Sequence, residues 1–202
     1  MNNIWKSGIY GLIIGDAMGV PVEFGTREER ENNPIKDMTG YGTYNQPEGT
    51  WSDDSSMVLA TLASIKDKGR IDYKDIMDRF HDWCMYGEYT PFGEVFDIGI
   101  ATSRAVMKYS NGAGPLESGG KTEWDNGNGS LMRILPVCLY LFEQQKSLNI
   151  SDDEVIDIVH NCSALTHAHI RSKLACGIYN FLVRAVLREC GELTERLQFG
   201  ID

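Results

Sequence analysis

Apolar positions recur with the helical period along most of the chain. Trp5, Ile9, Leu12 and Ile13 form one stripe. Val58, Thr61, Leu62 and Ile65 form a second, at i, i+3, i+4 and i+7, which ends at Gly69. Asp72 stands where an N-cap opens a helix running to about Tyr86, and the pattern over 92–107 predicts another. Leu131, Leu135, Leu139 and Phe142 mark a further helix. Pro136 lies inside it and requires a kink or a later start, because its ring clashes with the preceding turn. Ser151, with Glu154 three residues on, reads as a capping box. Ile170, Leu174, Ile178, Phe181 and Ala185 predict a long last helix stopped near Gly191. No stretch alternates with the period of two that a half-buried strand needs, and no repeat of fixed length occurs. The expected fold is all-α, with orthogonally packed helices in a single domain over 1–202.

Two polar, glycine-rich stretches interrupt this pattern. Residues 26–49 and 111–129 read as long loops, and such loops in compact domains are often functional. Gly8, Gly11, Gly15 and Gly19 share another face of the first helix. Each costs roughly 1 kcal/mol relative to alanine in a helix interior. Four together imply close approach of a neighbouring helix or of a ligand site.

Composition narrows the function classes. The 202 residues are 42% hydrophobic and 24% charged, as in globular proteins, with a net charge of -10 and a pI near 4.9. No basic patch exists for nucleic acid backbones. An anionic ligand needs a local device here, a metal ion or a set of backbone N–H groups. Cys84, Cys138, Cys162, Cys176 and Cys190 are scattered and odd in number, as expected of reduced thiols in a cytoplasmic protein. The apolar N-terminal stretch carries Lys6 and Asp16 and is too short to span a bilayer, so no membrane association is expected.

Four motifs carry candidate chemistry. Thr50-Trp51-Ser52-Asp53-Asp54-Ser55-Ser56 sets a hydroxyl beside two carboxylates at a loop–helix junction, a hard-oxygen set suited to Mg²⁺ or Mn²⁺. Taken alone, it reads first as a helix cap made by Ser52 or Asp53. In Gly15-Asp16-Ala17-Met18-Gly19-Val20-Pro21-Val22-Glu23-Phe24, an apolar helix carries an Asp that needs partners, and Glu23 follows its end. Asn126-Gly127-Asn128-Gly129-Ser130-Leu131-Met132-Arg133 is a Gly/Asn loop before a helix, able to hold an anion on free N–H groups, with Arg133 supplying charge or bracing the loop. The last, Thr166-His167-Ala168-His169, puts two histidines at a spacing that makes them diverge on a helix.

Together, GDAMGVPVEF, TWSDDSSM, the FDIG of 96–99, NGNGSLMRILP and the LTH of 165–167 resemble, in order and rough spacing, the ADP-ribosylglycohydrolase family. Its members include the glycohydrolase that acts on dinitrogenase reductase. The resemblance implies an all-α fold with a cleft holding a binuclear Mg²⁺ (or Mn²⁺) centre. It places Ser52, where the family usually has Thr, with Asp53 and Asp54 among the metal ligands. It makes Glu23 the acid that orients or activates water and Asp97 an acid on a helix facing the cleft. Gly127, Asn128, Gly129 and Ser130 match the substrate loop, and His167 a histidine near the substrate. The implied reaction is metal-dependent hydrolysis of the glycosidic bond in an ADP-ribosylated protein or a small ADP-ribose conjugate. The family's Asp-x-Asp-Thr ligands near the C-terminus have no counterpart after His169. The expectation is one weak metal site in a fragment, a shortened homologue or a half-site completed by a second chain. The alternative reading is a catalytically impaired homologue that binds ADP-ribose or metal.

Overall fold

The computed structural model describes residues 3–148, 150–188 and 191–201. Among them run ten α-helices: α1 (Asn3–Gly19), α2 (Arg27–Asn32), α3 (Asp53–Lys68), α4 (Tyr73–Tyr86), α5 (Ile100–Ser110), α6 (Pro115–Ser118), α7 (Leu135–Leu148), α8 (Asp152–Ala164), α9 (Ile170–Leu187) and α10 (Leu193–Ile201). Single turns of 3₁₀-helix occupy Val20–Val22 and Glu123–Asp125. The described residues contain no strand, only one isolated bridge between Gly120 and His167. No helix among them is long and apolar enough to cross a membrane.

The local signals explain most boundaries. Ser52 caps α3 by accepting from the Asp54 N–H, and Gly69 closes it at φ 66, a left-handed conformation that suits glycine. Asp72 caps α4 through the Asp75 N–H, and Ser151 and Glu154 form the predicted capping box on α8. Helix α7 starts at Leu135, later than the apolar stripe, which puts Pro136 in the first turn where its missing N–H costs nothing.

Two apolar clusters hold the helices together. Met57, Ile76, Met77, Phe80, Trp83, Val106 and Leu165 fill the space between α3, α4 and α5. Ile134, Val137, Leu141, Val155, Val159 and Cys176 join α7, α8 and α9. Cys84, Cys138, Cys162 and Cys176 are free thiols, and Cys190 lies outside the described residues.

Four expectations change. The helix read over 92–107 begins only at Ile100 and continues to Ser110, because Pro91, Gly93 at φ 75 and Asp97 at φ 55 keep the preceding segment irregular. The 26–49 loop contains α2, held by a Thr26/Glu29 capping box but burying no residue, so it left no apolar pattern. The loop over 111–129 likewise contains α6 and the 3₁₀ turn at Glu123–Asp125. Helix α9 forms where the stripe predicts one but is not the last helix, and most of that stripe is exposed: Ile170, Leu174, Ile178 and Phe181 face outward. The helix instead buries Cys176, Gly177, Asn180 and Ala185: Cys176 and Gly177 face α7 and α8, and Ala185 faces α10, which follows Gly191.

The glycine face of α1 is also open. Gly8 meets Leu135 of α7, but a side chain at Gly11, Gly15 or Gly19 would touch nothing within 4 Å. Among the described residues no neighbouring helix comes that close there; Gly15 and Gly19 line a cleft.

Candidate functional site

The cleft encloses about 970 Å³ between the N-terminal ends of α3 and α5, the end of α1 and the 127–129 loop. Asp16, Glu23, Asp53, Asp54 and Asp97 line one wall; Gly127, Asn128, Gly129 and His167 line the other. Among the described residues no Lys or Arg lines it.

The acidic wall is organised by Asp16 of α1. Its carboxylate accepts from the Ser52 N–H and hydroxyl (3.0 and 2.8 Å) and from the Ser55 N–H and hydroxyl (3.1 and 2.6 Å). These bonds satisfy donors that the first turn of α3 would otherwise leave open. Ser52 Oγ donates to Asp16 and accepts from the Asp54 N–H at 3.3 Å, so one lone pair remains. The capping reading of Ser52 is therefore correct and leaves the oxygen able to ligate.

Burial, then the charges of Asp54, Asp97 and Asp16, push the Asp53 carboxyl up to about 8. Burial and the charges of Asp16, Asp97 and Glu23 push Asp54 up to about 6. Glu23 is also raised, first by desolvation, with the nearby Tyr44 phenol acting in the opposite direction. Several acids crowded without a cation make ionisation costly. Among the described residues, however, no three His, Cys, Asp or Glu side chains converge closely enough to hold a metal ion.

Glu23 sits at the end of the 3₁₀ turn, held by the 33–49 loop. Thr43 donates its hydroxyl to the Glu23 carbonyl at 2.7 Å and its N–H to the Pro21 carbonyl at 3.0 Å. Gly42 permits this contact, since a Cβ there would overlap the Pro21 carbonyl. Asp97 lines the cleft, but from the irregular segment before α5 and not from a helix.

On the opposite wall, the Asn128 carbonyl accepts from the Leu131 and Met132 N–H groups, which closes the loop into a turn before α7. A Cβ at Gly129 would stand 2.8 Å from His167 Cε1 and 3.2 Å from Thr102 Oγ1, so glycine lets the loop lie against both. Ser130 is fully buried; its hydroxyl bonds Ser163 at 2.8 Å and faces the interior, not the cleft. Arg133 is also buried, and its guanidinium donates to the Cys162 carbonyl of α8 and to Thr166, not to the loop. The two histidines diverge: His167 is buried beside the loop, while His169 caps α9.

The family model for ADP-ribosylglycohydrolase matches residues 5–201. The chain belongs to the ADP-ribosylglycohydrolase family. It is 31% identical over 191 residues to the ADP-ribosylarginine hydrolase Tri1 of Serratia proteamaculans (strain 568), covering 91% of this chain and 48% of that protein. It is 29% identical over 194 residues to the ADP-ribosyl-dinitrogen reductase glycohydrolase of Rhodospirillum rubrum, covering 93% and 60%. A solved ADP-ribosylglycohydrolase-related protein complex contains a chain that superposes with a TM-score of 0.72 at 28% identity, covering 96% of this chain and 58% of that one. The chain thus spans about half the length of the curated relatives it matches.

Sequence reasoning missed three residues in or beside this ADP-ribosylglycohydrolase cleft. Asp16 was recognised as needing partners but not as the acid that organises Ser52. Tyr44 packs on Phe96 at 5.2 Å and lies beside Glu23 and Asp97; burial, then these acids, raise its phenol. Trp124 stands 92% exposed on the cleft lining. The apolar pattern marks neither aromatic, since each is a lone ring in a polar loop.

Proposed function

We propose that this chain binds an ADP-ribosyl group across the cleft and hydrolyses the bond between its ribose C1″ and the attached group. The observation that carries the reading is the pairing of two walls on one cleft: carboxylates on one side, a glycine-rich loop with His167 on the other. Backbone N–H groups of such a loop suit the diphosphate, and the acidic wall suits ribose hydroxyls and a cationic leaving group. We infer ADP-ribosyl-arginine as the substrate. Its guanidinium matches a lining that has no Lys or Arg among the described residues, and two relatives are named as ADP-ribosylarginine hydrolases.

Ser52, Asp53 and Asp54 would supply part of the shell of Mg²⁺ (or Mn²⁺). They fit in kind, as hard oxygens whose charged forms are disfavoured without a neighbouring cation. They do not fill the six positions Mg²⁺ takes. When bound, the ion supplies positive charge that holds ribose hydroxyls and offsets developing negative charge. Glu23, with its raised pKa, accepts the proton of the attacking water. The water oxygen bonds to C1″ as the C1″–N bond breaks and its electron pair stays on the guanidine nitrogen. Asp97 lines the cleft where it can pass a proton to that nitrogen.

The incomplete ligand set favours a second reading, ADP-ribose binding without turnover. Chromatographic measurement of ADP-ribose released from ADP-ribosyl-arginine with Mg²⁺ separates them. Hydrolysis predicts release by the wild type and at least tenfold less by Glu23→Gln, on the order of a lost general base. Absence of release with retained ADP-ribose binding selects the second reading.

A further inference from the structure

His167 is one end of a buried chain of hydrogen bonds. Arg133 is 1% exposed, with its guanidinium 4.8 Å over the Phe80 ring. Its Nη2 donates to the Cys162 carbonyl at 3.1 Å and to Thr166 Oγ1 at 2.8 Å. Thr166 is fully buried, and its Oγ1 lies 2.8 Å from His167 Nδ1.

The direction of these bonds follows from what each group has to offer. A guanidinium carries only donors, so Thr166 Oγ1 accepts from Arg133. The Thr166 hydroxyl proton then needs an acceptor, because a buried unmatched hydroxyl is costly. Among the described residues the other polar atom bonded to Thr166 Oγ1 is His167 Nδ1. An Nδ1–H tautomer would instead point a second donor at the same oxygen and strand the hydroxyl proton. Nδ1 is therefore the acceptor, and the neutral ring carries its proton on Nε2.

Nε2 is also the nitrogen nearest the loop: a Cβ at Gly129 would stand 3.3 Å from it and one at Gly127 3.4 Å. We propose that Arg133 and Thr166 are positioning residues that lock His167 in its Nε2–H form, giving the cleft a fixed neutral donor for a phosphate or ribose oxygen of the ligand. The assignment of the ligand rests on the ADP-ribose reading; the lock does not. Burial and the Arg133 charge, against the opposing charge of Asp125, hold the imidazole at about 4, so the ring is neutral at pH 7.

The test is ¹⁵N NMR of the histidine rings in the ligand-free protein, with His167→Gln assigning the signals. Thr166→Val removes the hydroxyl at nearly constant volume, and Thr166→Ser restores it. Wild type and Thr166→Ser should show an unprotonated Nδ1 and a protonated Nε2 for His167; Thr166→Val should show mixed tautomers. Calorimetric ADP-ribose affinity should fall on the order of tenfold in Thr166→Val and return in Thr166→Ser, the loss expected for one misdirected hydrogen bond. A wild-type Nδ1–H form, or an unchanged tautomer in folded Thr166→Val, overturns the lock. Mixed tautomers with unchanged affinity overturn the donor role. Failure of the wild type to bind ADP-ribose would refute the ligand reading, while the tautomer signals still decide the lock.

Discussion

Asp16 caps α3 from another helix, accepting the Ser55 hydroxyl at 2.6 Å and the Ser55 N–H at 3.1 Å. The same carboxylate holds Ser52, so one acid fixes the turn that carries Ser52, Asp53 and Asp54. Asp16→Ala strands these donors and should cost about 2–4 kcal/mol in urea unfolding, the scale for lost bonds to a charged acceptor. The Mg²⁺-induced thermal shift should shrink as well. A loss under about 0.5 kcal/mol, the range of ordinary surface changes, would contradict this role.

The acids of the cleft set a pH dependence of unusual sign. Asp53 rises from the ordinary 3.8 to about 8, and Asp54 to about 6. Between the unfolded and folded values the native state binds more protons than the unfolded chain, so stability falls as pH rises. Carboxylates lowered by their partners, such as Asp75 and Asp125, lose their contribution only below this window. Metal-free protein should melt higher at pH 5 than at pH 8 in calorimetric scans, and Asp53→Asn should flatten the slope. Saturating Mg²⁺ should flatten it too, since a cation favours the charged forms. A melting temperature that climbs from pH 5 to 8 equally in wild type and variant would count against the crowding of these acids.

Gly42 anchors the loop that holds Glu23. Because a Cβ there meets the Pro21 carbonyl, the backbone must move. Gly42→Ala should cost about 1–3 kcal/mol, as overpacking does, and lower the rate of ADP-ribose release more than it weakens ADP-ribose binding. Unchanged kinetics and stability would show that the loop does not position Glu23.

Helix caps were the most legible part of the fold, because Ser52, Asp72 and Ser151 act on donors two or three residues away. Apolar periodicity locates α9 but does not record what covers its stripe: Ile170, Leu174 and Ile178 have the period of a core and stand exposed. Residues 92–99 looked helical because Phe92, Val95, Phe96 and Ile98 mimic the period, while the left-handed backbone of Asp97 depends on tertiary surroundings. In the site, Glu23, Asp53, Asp54 and His167 were legible through motif resemblance. Tyr44 was not, since its place beside Glu23 is made by a loop docking twenty residues away.

Calorimetric titration of ADP-ribose tests whether both walls act on one ligand. Wild type, Gly129→Val and Asp54→Ala would be titrated with and without Mg²⁺, after circular dichroism shows equal helical content. Gly129→Val drives a side chain into His167 and should weaken binding on the order of tenfold or more with or without the ion. Mg²⁺ should tighten binding by the wild type, and Asp54→Ala should abolish that gain. Equal affinity in all three proteins, unchanged by Mg²⁺, would contradict the account.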